Sequence, residues 1–272
     1  MDLPLNDGGS IPAIGFGTWP MDDSEAELAV AEAIAHGYRL IDTAFNYSNE
    51  TGVGRAIVSS GIAREDLFLT SKFNREFHSV QGVAEAFEGS AKRLGVEYLD
   101  LFLIHWPNPD HDQYVQAWEG LIALREQGKV RHIGTSNFLP EHHARIIEAT
   151  GVVPAVDQLQ VNPRLSQPDA RADNTARGIV TQAWSPLGQG NDLLTHPLLT
   201  ELAQIYSATP AQVVIAWDLA LGLATCPKTS TPRRMDENLA AASLVLRDAD
   251  VEALTALDGS EEHTHHPNVF GH

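Results

Sequence analysis

The sequence predicts a closed eight-stranded parallel α/β barrel, and three observations carry the prediction. Short apolar runs of strand character alternate with segments of helical periodicity along almost the whole chain, and such alternation implies parallel strands joined by right-handed crossovers. Eight strand–helix units fit into 272 residues, a length at which an α/β barrel forms one unit. The competing doubly wound sheet calls for Gly-x-Gly-x-x-Gly after its first strand. Here Gly15-Phe16-Gly17 runs on into Thr18, Trp19 and Pro20, with no third glycine and no helix start.

Taken in order, PLND, Gly8-Gly9 and SIPAIG read as a short β-hairpin about a glycine turn. The strand-like runs follow as AIGFGTW (13–19), YRLIDTA (38–44), LFLTSKF (67–73), LDLFLIHW (99–106), VRHIGTS (130–136), PAVDQLQV (154–161), GIVTQAWS (178–185) and LATCPKT (223–229). Helical periodicity fills the intervals at 24–36, 50–60, 80–94, 112–127, 140–149, 168–177 and 210–221, and again near 232–241. Asp23-Ser24 ahead of Glu25 and Glu27, and Pro140 followed by Glu141, are helix-start signals. An extra helix near 195–207 is expected after the seventh strand, and another toward the C-terminus. No low-complexity linker or break in composition divides the chain, so residues 1–272 read as one domain whose tail, 259–272, lies over the active site.

With 43% hydrophobic and 20% charged residues the chain has enough apolar material for a large core. Its formal charge of -18 opposes binding to phosphate backbones and anionic lipid, so neither nucleic acid nor a membrane surface is an expected partner. No apolar run approaches the ~20 residues of a membrane span, and MDLPLNDGGS resembles no secretory leader. Cys226 is the one cysteine, which fits a reducing compartment and leaves neither an internal disulfide nor a cysteine-rich zinc site. A cytoplasmic monomer is expected.

Barrel chemistry sits where strands end and βα loops begin. Asp42, Lys72 and His105 end the second, third and fourth strand runs, at one phase of consecutive βα units. Any one of them alone reads most simply as a satisfied core or surface residue. Together they converge on one mouth, where an aspartate one strand away can balance a lysine. Tyr47, five residues past Asp42, folds back over the same mouth. Its phenol, ordinarily near a pKa of about 10, is expected to be lowered by the Lys72 cation and so to become a usable proton donor to a carbonyl oxygen. In this scheme Asp42 holds Lys72 and His105 offers a second hydrogen bond. Lys72 as the amine nucleophile of a Schiff-base lyase is an alternative on the same residues.

After strands seven and eight, barrels often bind phosphate. Here those loops are SPLGQG and PKTSTPRR, and in a chain with only four lysines the second brings Lys228, hydroxyls and Arg233-Arg234 together.

The stretches GYRLIDTAFNYSNETGVGRAI, LTSKF, LDLFLIHWP, IGTSNF, AWSPLGQG and PKTSTPRRMDEN, in this order, resemble successive signatures of the aldo-keto reductase superfamily over residues 5–258. Through EATGVVPAVDQ and SPLGQG the chain is especially similar to the bacterial 2,5-diketo-D-gluconate reductase branch. The resemblance implies a (β/α)8 TIM barrel, reversible reduction of aldehydes or ketones, and the catalytic tetrad Asp42, Tyr47, Lys72 and His105. It implies NADPH, with Lys228, Thr229 and Arg234 on the 2′-phosphate and Glu237 and Asn238 on the adenine. Ser136, Asn137, Gln158 and Trp184 are implied for the nicotinamide, and Ser185, Leu187 and Gln189 near the pyrophosphate. A relative that binds NADPH without turnover is the alternative within the family.

Trp19, Phe45, Asn46, Trp106 and Asn108 follow strand ends and are expected to line the substrate pocket, where aromatic walls suit small carbonyl compounds. The tail carries His263, His265, His266 and His272. His263-x-His265 is a ligand pair without the cysteines of a structural zinc site, and no metal is expected. Glu261-Glu262 near the mouth disfavour strongly anionic substrates.

Overall fold

Eight strands follow one another around one parallel sheet in chain order, in a computed structural model that describes residues 1–261 and 265–271. They are β3 (Phe16–Gly17), β4 (Leu40–Asp42), β5 (Phe68–Phe73), β6 (Leu99–Ile104), β7 (Val130–Ser136), β8 (Val156–Gln160), β9 (Val180–Trp184) and β10 (Ala224–Cys226). The circle closes between β10 and the approach to β3. Ile14 bridges Thr225, Gly15 N–H donates to Thr225 O at 2.8 Å, and Gly17 N–H donates to Pro227 O. The two glycines make that approach possible. A Cβ on Gly15 would stand 2.6 Å from Cys226 Sγ, and one on Gly17 would stand 2.9 Å from Cys226 O. Gly15-x-Gly17 is thus a barrel seam and not a nucleotide loop.

The hairpin β1 (Asp2–Pro4) and β2 (Ser10–Pro12) precedes the barrel, pairing Leu3 with Ile11. Leu5 and Ile11 pack with Leu40, Leu101, Leu103 and Val156, closing the lower end of the barrel. Around the strands run α1 (Asp23–Ala35), α2 (Glu50–Ser60), α3 (Val80–Leu94), α4 (Tyr114–Glu126), α5 (Pro140–Thr150), α6 (Pro168–Arg177), α8 (Pro210–Ala220) and α9 (Pro232–Ala240). The expected insertion after β9 is α7 (Pro197–Ile205), and α10 (Asp248–Thr255) follows toward the C-terminus. The α1 start is shifted by one residue from its sequence signal. Asp22 is the cap, accepting from Ser24 N–H and Glu25 N–H while Glu25 returns a bond to Asp22 N–H. Pro140 opens α5 as expected.

The strands are shorter than the apolar runs that announced them. The run 38–44 becomes Leu40–Asp42, and 13–19 becomes Phe16–Gly17. Residues beyond each strand, such as Thr18, Thr43 and Ala44, are still buried. Apolar patterning reports burial, whereas the ladder ends where the backbone turns outward to form the mouth. No helix among the described residues is long and apolar enough to cross a membrane.

Candidate active site

β4 and β5 pair with Asp42 opposite Thr70, which sets Asp42 and Lys72 on the inner wall near the upper ends of neighbouring strands. Both side chains are buried, Lys72 completely. Lys72 Nζ donates to Asp42 Oδ1 at 2.7 Å, to Thr43 O at 3.0 Å and to the Tyr47 hydroxyl at 3.3 Å. Those three bonds use all three ammonium protons. Tyr47 ends a 3-10 turn, Phe45–Tyr47, that folds directly off β4, and its ring meets that of His105 edge-on at 5.9 Å. Because its hydroxyl oxygen accepts from Lys72, the phenolic proton is left to point elsewhere.

The electrostatics differ in one respect from the sequence expectation. Burial pushes the Tyr47 phenol above its ordinary value, and the Lys72 cation only partly offsets this. Burial by itself would lower Lys72, but the Asp42 carboxylate and Tyr47 beside it hold it above its ordinary value. The resting pair is therefore a protonated phenol and a protonated amine. The Schiff-base alternative finds no support in this arrangement. Lys72 has no exposed surface and is absent from the cavity wall.

The mouth holds a cavity of about 870 Å³. Asp42, Tyr47 and His105 line it, with Lys72 directly behind. Ser136, Asn137, Gln158, Trp184, Ser185, Leu187 and Gln189 also line it. They are cross-linked: Ser136 Oγ donates to Gln158 O at 3.0 Å, Asn137 Nδ2 to His105 O at 3.1 Å and to Ser136 Oγ at 3.0 Å, and Trp184 Nε1 to Asn137 Oδ1 at 2.9 Å. Asn137 and Ser185 both sit at positive φ, 60° and 51°, turning these loops back over the strand ends.

Lys228 and Arg234, the latter on α9, also line the cavity. Most arginines of this acidic chain are ion-paired, among them Arg55, Arg64, Arg93, Arg131, Arg164 and Arg247. Lys228 and Arg234, both exposed, have no carboxylate partner among the described residues. Three expected neighbours lie off the cavity wall. Thr229 is buried, its hydroxyl accepting from Thr231 N–H at 3.1 Å. Glu237 is ion-paired with Arg233 at 2.8 Å, and Asn238 is buried against the Tyr38 hydroxyl.

Trp19, Asn46 and Trp106 line the cavity too, joined by His265 and Phe270 from the tail. Phe45 and Asn108 stand behind this wall. Phe45 is wedged edge-on against Phe77 at 5.3 Å, with the Arg93 guanidinium 5.0 Å from its ring centre. Asn108 backs the tail: a Cβ on Gly271 would fall 1.9 Å from its Nδ2. The His265 and Phe270 rings stack at 3.6 Å, and Phe270 meets Trp106 edge-on at 4.9 Å. Glu261 accepts from Nδ2 of Asn191, a residue of the cavity wall, at 3.2 Å. Glu262, His263 and His272 lie outside the described residues. Among the described residues no group of three histidine, cysteine or carboxylate side chains is placed to hold a metal ion.

Sequence reasoning passed over Gln182, Cys226 and Thr18. Gln158 Nε2 donates to Asp42 Oδ2 and to Gln182 Oε1, each at 2.7 Å, and Gln182 Nε2 donates to Cys226 Sγ at 3.2 Å. Thr18 Oγ1 donates to Asp42 O. A signal for Gln182 was present, since it lies two residues before Trp184 on one strand and so faces the same way.

The sequence profile described as the aldo/keto reductase family matches residues 13–259. An aldo-keto reductase of Mycolicibacterium smegmatis is 44% identical over 268 residues, covering 98% of this chain and 97% of the relative. Methylglyoxal reductase DkgA of Yersinia pestis is 42% identical over 271 residues, covering 99% and 97%. Among solved structures, a Gox0644 variant crystallised in complex with NADPH superposes with a TM-score of 0.94 at 38% identity, covering 99% of this chain and 98% of the other.

Proposed function

The chain belongs to the aldo/keto reductase family, and from that premise we propose that it reduces small, uncharged aldehydes, ketones and α-dicarbonyls, with Tyr47 donating the proton. It is an NADP-dependent oxidoreductase. The observation that carries the finer reading is the arrangement of Tyr47. Its oxygen accepts from a fully engaged Lys72, so its proton is free to meet a carbonyl oxygen in the cavity.

The residues present suit NADPH. Two cations without acidic partners among the described residues line the cavity, matching the charge of a 2′-phosphate. Amide and hydroxyl groups of Ser136, Asn137 and Gln158, with the flat Trp184 ring, line the cavity and are tied by hydrogen bonds to His105 and Asp42. When bound, NADPH supplies the hydride. The chain's own residues do the rest. Tyr47 transfers its phenolic proton to the carbonyl oxygen as that oxygen gains negative charge. The Lys72 cation, 3.3 Å away, stabilises the phenolate left behind, and Asp42 keeps Lys72 charged. The His105 ring beside Tyr47 supplies a second contact to the same oxygen. Trp184 and the loop carrying Ser185 and Gln189 hold the cofactor's plane and pyrophosphate. Thr229 supports the phosphate loop from inside.

Two features favour uncharged substrates. The residues read as meeting the substrate, Trp19, Asn46, Trp106, His265 and Phe270, include no lysine or arginine, and the two cations that line the same cavity, Lys228 and Arg234, are assigned to the cofactor. The relative from Yersinia pestis is named for methylglyoxal, an uncharged dicarbonyl. We read the chain as one domain acting as a cytoplasmic monomer, with His265 and Phe270 of the tail at the mouth. The test is NADPH oxidation against a panel of methylglyoxal, aromatic aldehydes and carboxylated keto-sugars. The reading expects turnover of the first two classes ahead of the third, and no turnover of any class overturns it.

A further inference from the structure

We propose that Gln182 is a positioning residue that makes Gln158 present only a hydrogen-bond acceptor to the cofactor pocket. The inference deepens, and rests on, the reading that Gln158 meets the nicotinamide carboxamide.

The argument begins at Asp42. Ion-paired with Lys72 at 2.7 Å, its carboxylate is an acceptor only. Gln158 must therefore turn its amino group, not its oxygen, toward Asp42 Oδ2. That nitrogen carries a second proton. Gln182 stands beside it because the two residues are register partners on β8 and β9, and Gln182 Oε1 accepts the proton at 2.7 Å. Presenting its oxygen there obliges Gln182 to aim its own amino group the other way, where it meets Cys226 Sγ at 3.2 Å. Burial keeps Cys226 a neutral thiol, so its sulfur is a usable acceptor. The polarity of the chain Asp42, Gln158, Gln182, Cys226 is thus fixed from one end to the other.

The consequence falls on Gln158. Both of its N–H groups are consumed, and no donor among the described residues meets its Oε1. Gln158 lines the cavity, so what it offers there is a carbonyl oxygen. A carboxamide N–H satisfies that oxygen, whereas a methyl ketone in the same place does not. Gln182 is fully buried and lies off the cavity wall, reaching the pocket through Gln158 and Cys226, of which only Gln158 is assigned to the carboxamide.

The test is calorimetric titration of the purified enzyme with NADPH and with its reduced 3-acetylpyridine analogue, which carries no N–H at that position. The wild type is expected to favour NADPH by about tenfold, one hydrogen bond's worth. Gln182→Met leaves the second Gln158 N–H without its acceptor, so the amide can pivot about its bond to Asp42 and offer that N–H to the ketone oxygen, and the preference should largely disappear. Gln182→Thr, too short to reach Gln158, should do the same and serves if the methionine variant does not fold. Gln182→Glu, neutral when buried, keeps an oxygen toward Gln158 and should restore the preference. A residue that merely supports the strand would weaken both ligands by one factor. Unchanged discrimination in Gln182→Met or Gln182→Thr therefore overturns the proposal. Gln158→Met separates the two levels: if it keeps the wild-type preference, the carboxamide reading itself has failed, and Gln182 with it.

Discussion

The ammonium of Lys72 lies 3.3 Å from the Tyr47 hydroxyl, and its other two protons are committed to Asp42 Oδ1 and to the Thr43 carbonyl. A lysine held in this way has no lone pair to offer a carbonyl carbon. What it supplies is a fixed positive charge at the place where a phenolate forms. Because burial raises the phenol, the donor is kept protonated at rest, and the cation acts on the product of proton transfer.

Removing that cation leaves Asp42 charged and buried without its partner. Lys72→Met is expected to lower stability by roughly 3–5 kcal/mol, and adding Asp42→Leu to recover much of it. Urea unfolding of the single and double variants measures both. Equal destabilisation in the two would mean that the ion pair is not what the lysine contributes.

The raised phenol also fixes the pH dependence. Reduction needs the protonated form, so kcat/KM for reduction should stay flat through a pH of about 10, the ordinary tyrosine value, and decline only above it. Oxidation of the product alcohol needs the phenolate and should rise over the same range. A reductive limb that falls near neutrality would assign the proton to another group.

Arg234→Ala is expected to weaken NADPH binding by about 10- to 100-fold, from the loss of a charge-assisted hydrogen bond to phosphate, while leaving NADH unaffected. Fluorescence titration with both nucleotides decides it. A parallel loss for NADH would mean that Arg234 shapes the pocket instead of reading the 2′-phosphate.

His78 is buried after β5, and neither ring nitrogen has a hydrogen-bond partner among the described residues. Burial pulls its pKa down to about 4, against about 6.5 when unfolded. Between those values the unfolded chain binds more protons, so the stability tied to His78 is present above about 6.5 and lost as pH falls toward 4. His78→Phe should therefore raise the melting temperature more at about pH 5 than at about pH 8. An equal effect at both would remove titration from the explanation.

The barrel was legible because alternation has a long range: eight strand runs survive errors at any one boundary. Asp42, Lys72 and His105 were brought to one mouth for the same reason, since strand ends share one phase, and Tyr47 followed from its place five residues past Asp42. The phosphate end was less so. Thr229, Glu237 and Asn238 were named from a linear motif, but α9 begins at Pro232, and its turn sends Glu237 to Arg233 and Asn238 to Tyr38. Phe45 and Asn108 follow strand ends as expected, yet Phe77 and Gly271 claim their surfaces. Gln182 was missed because its role depends on a neighbour 24 residues away on the next strand, a pairing that spacing along one strand does not display.

The most direct test is Tyr47→Phe, assayed for NADPH-dependent reduction of methylglyoxal alongside NADPH affinity. The account predicts a loss of about 10²–10⁴-fold in kcat with cofactor affinity intact, since only the proton donor is removed. Full kcat in the variant would contradict it.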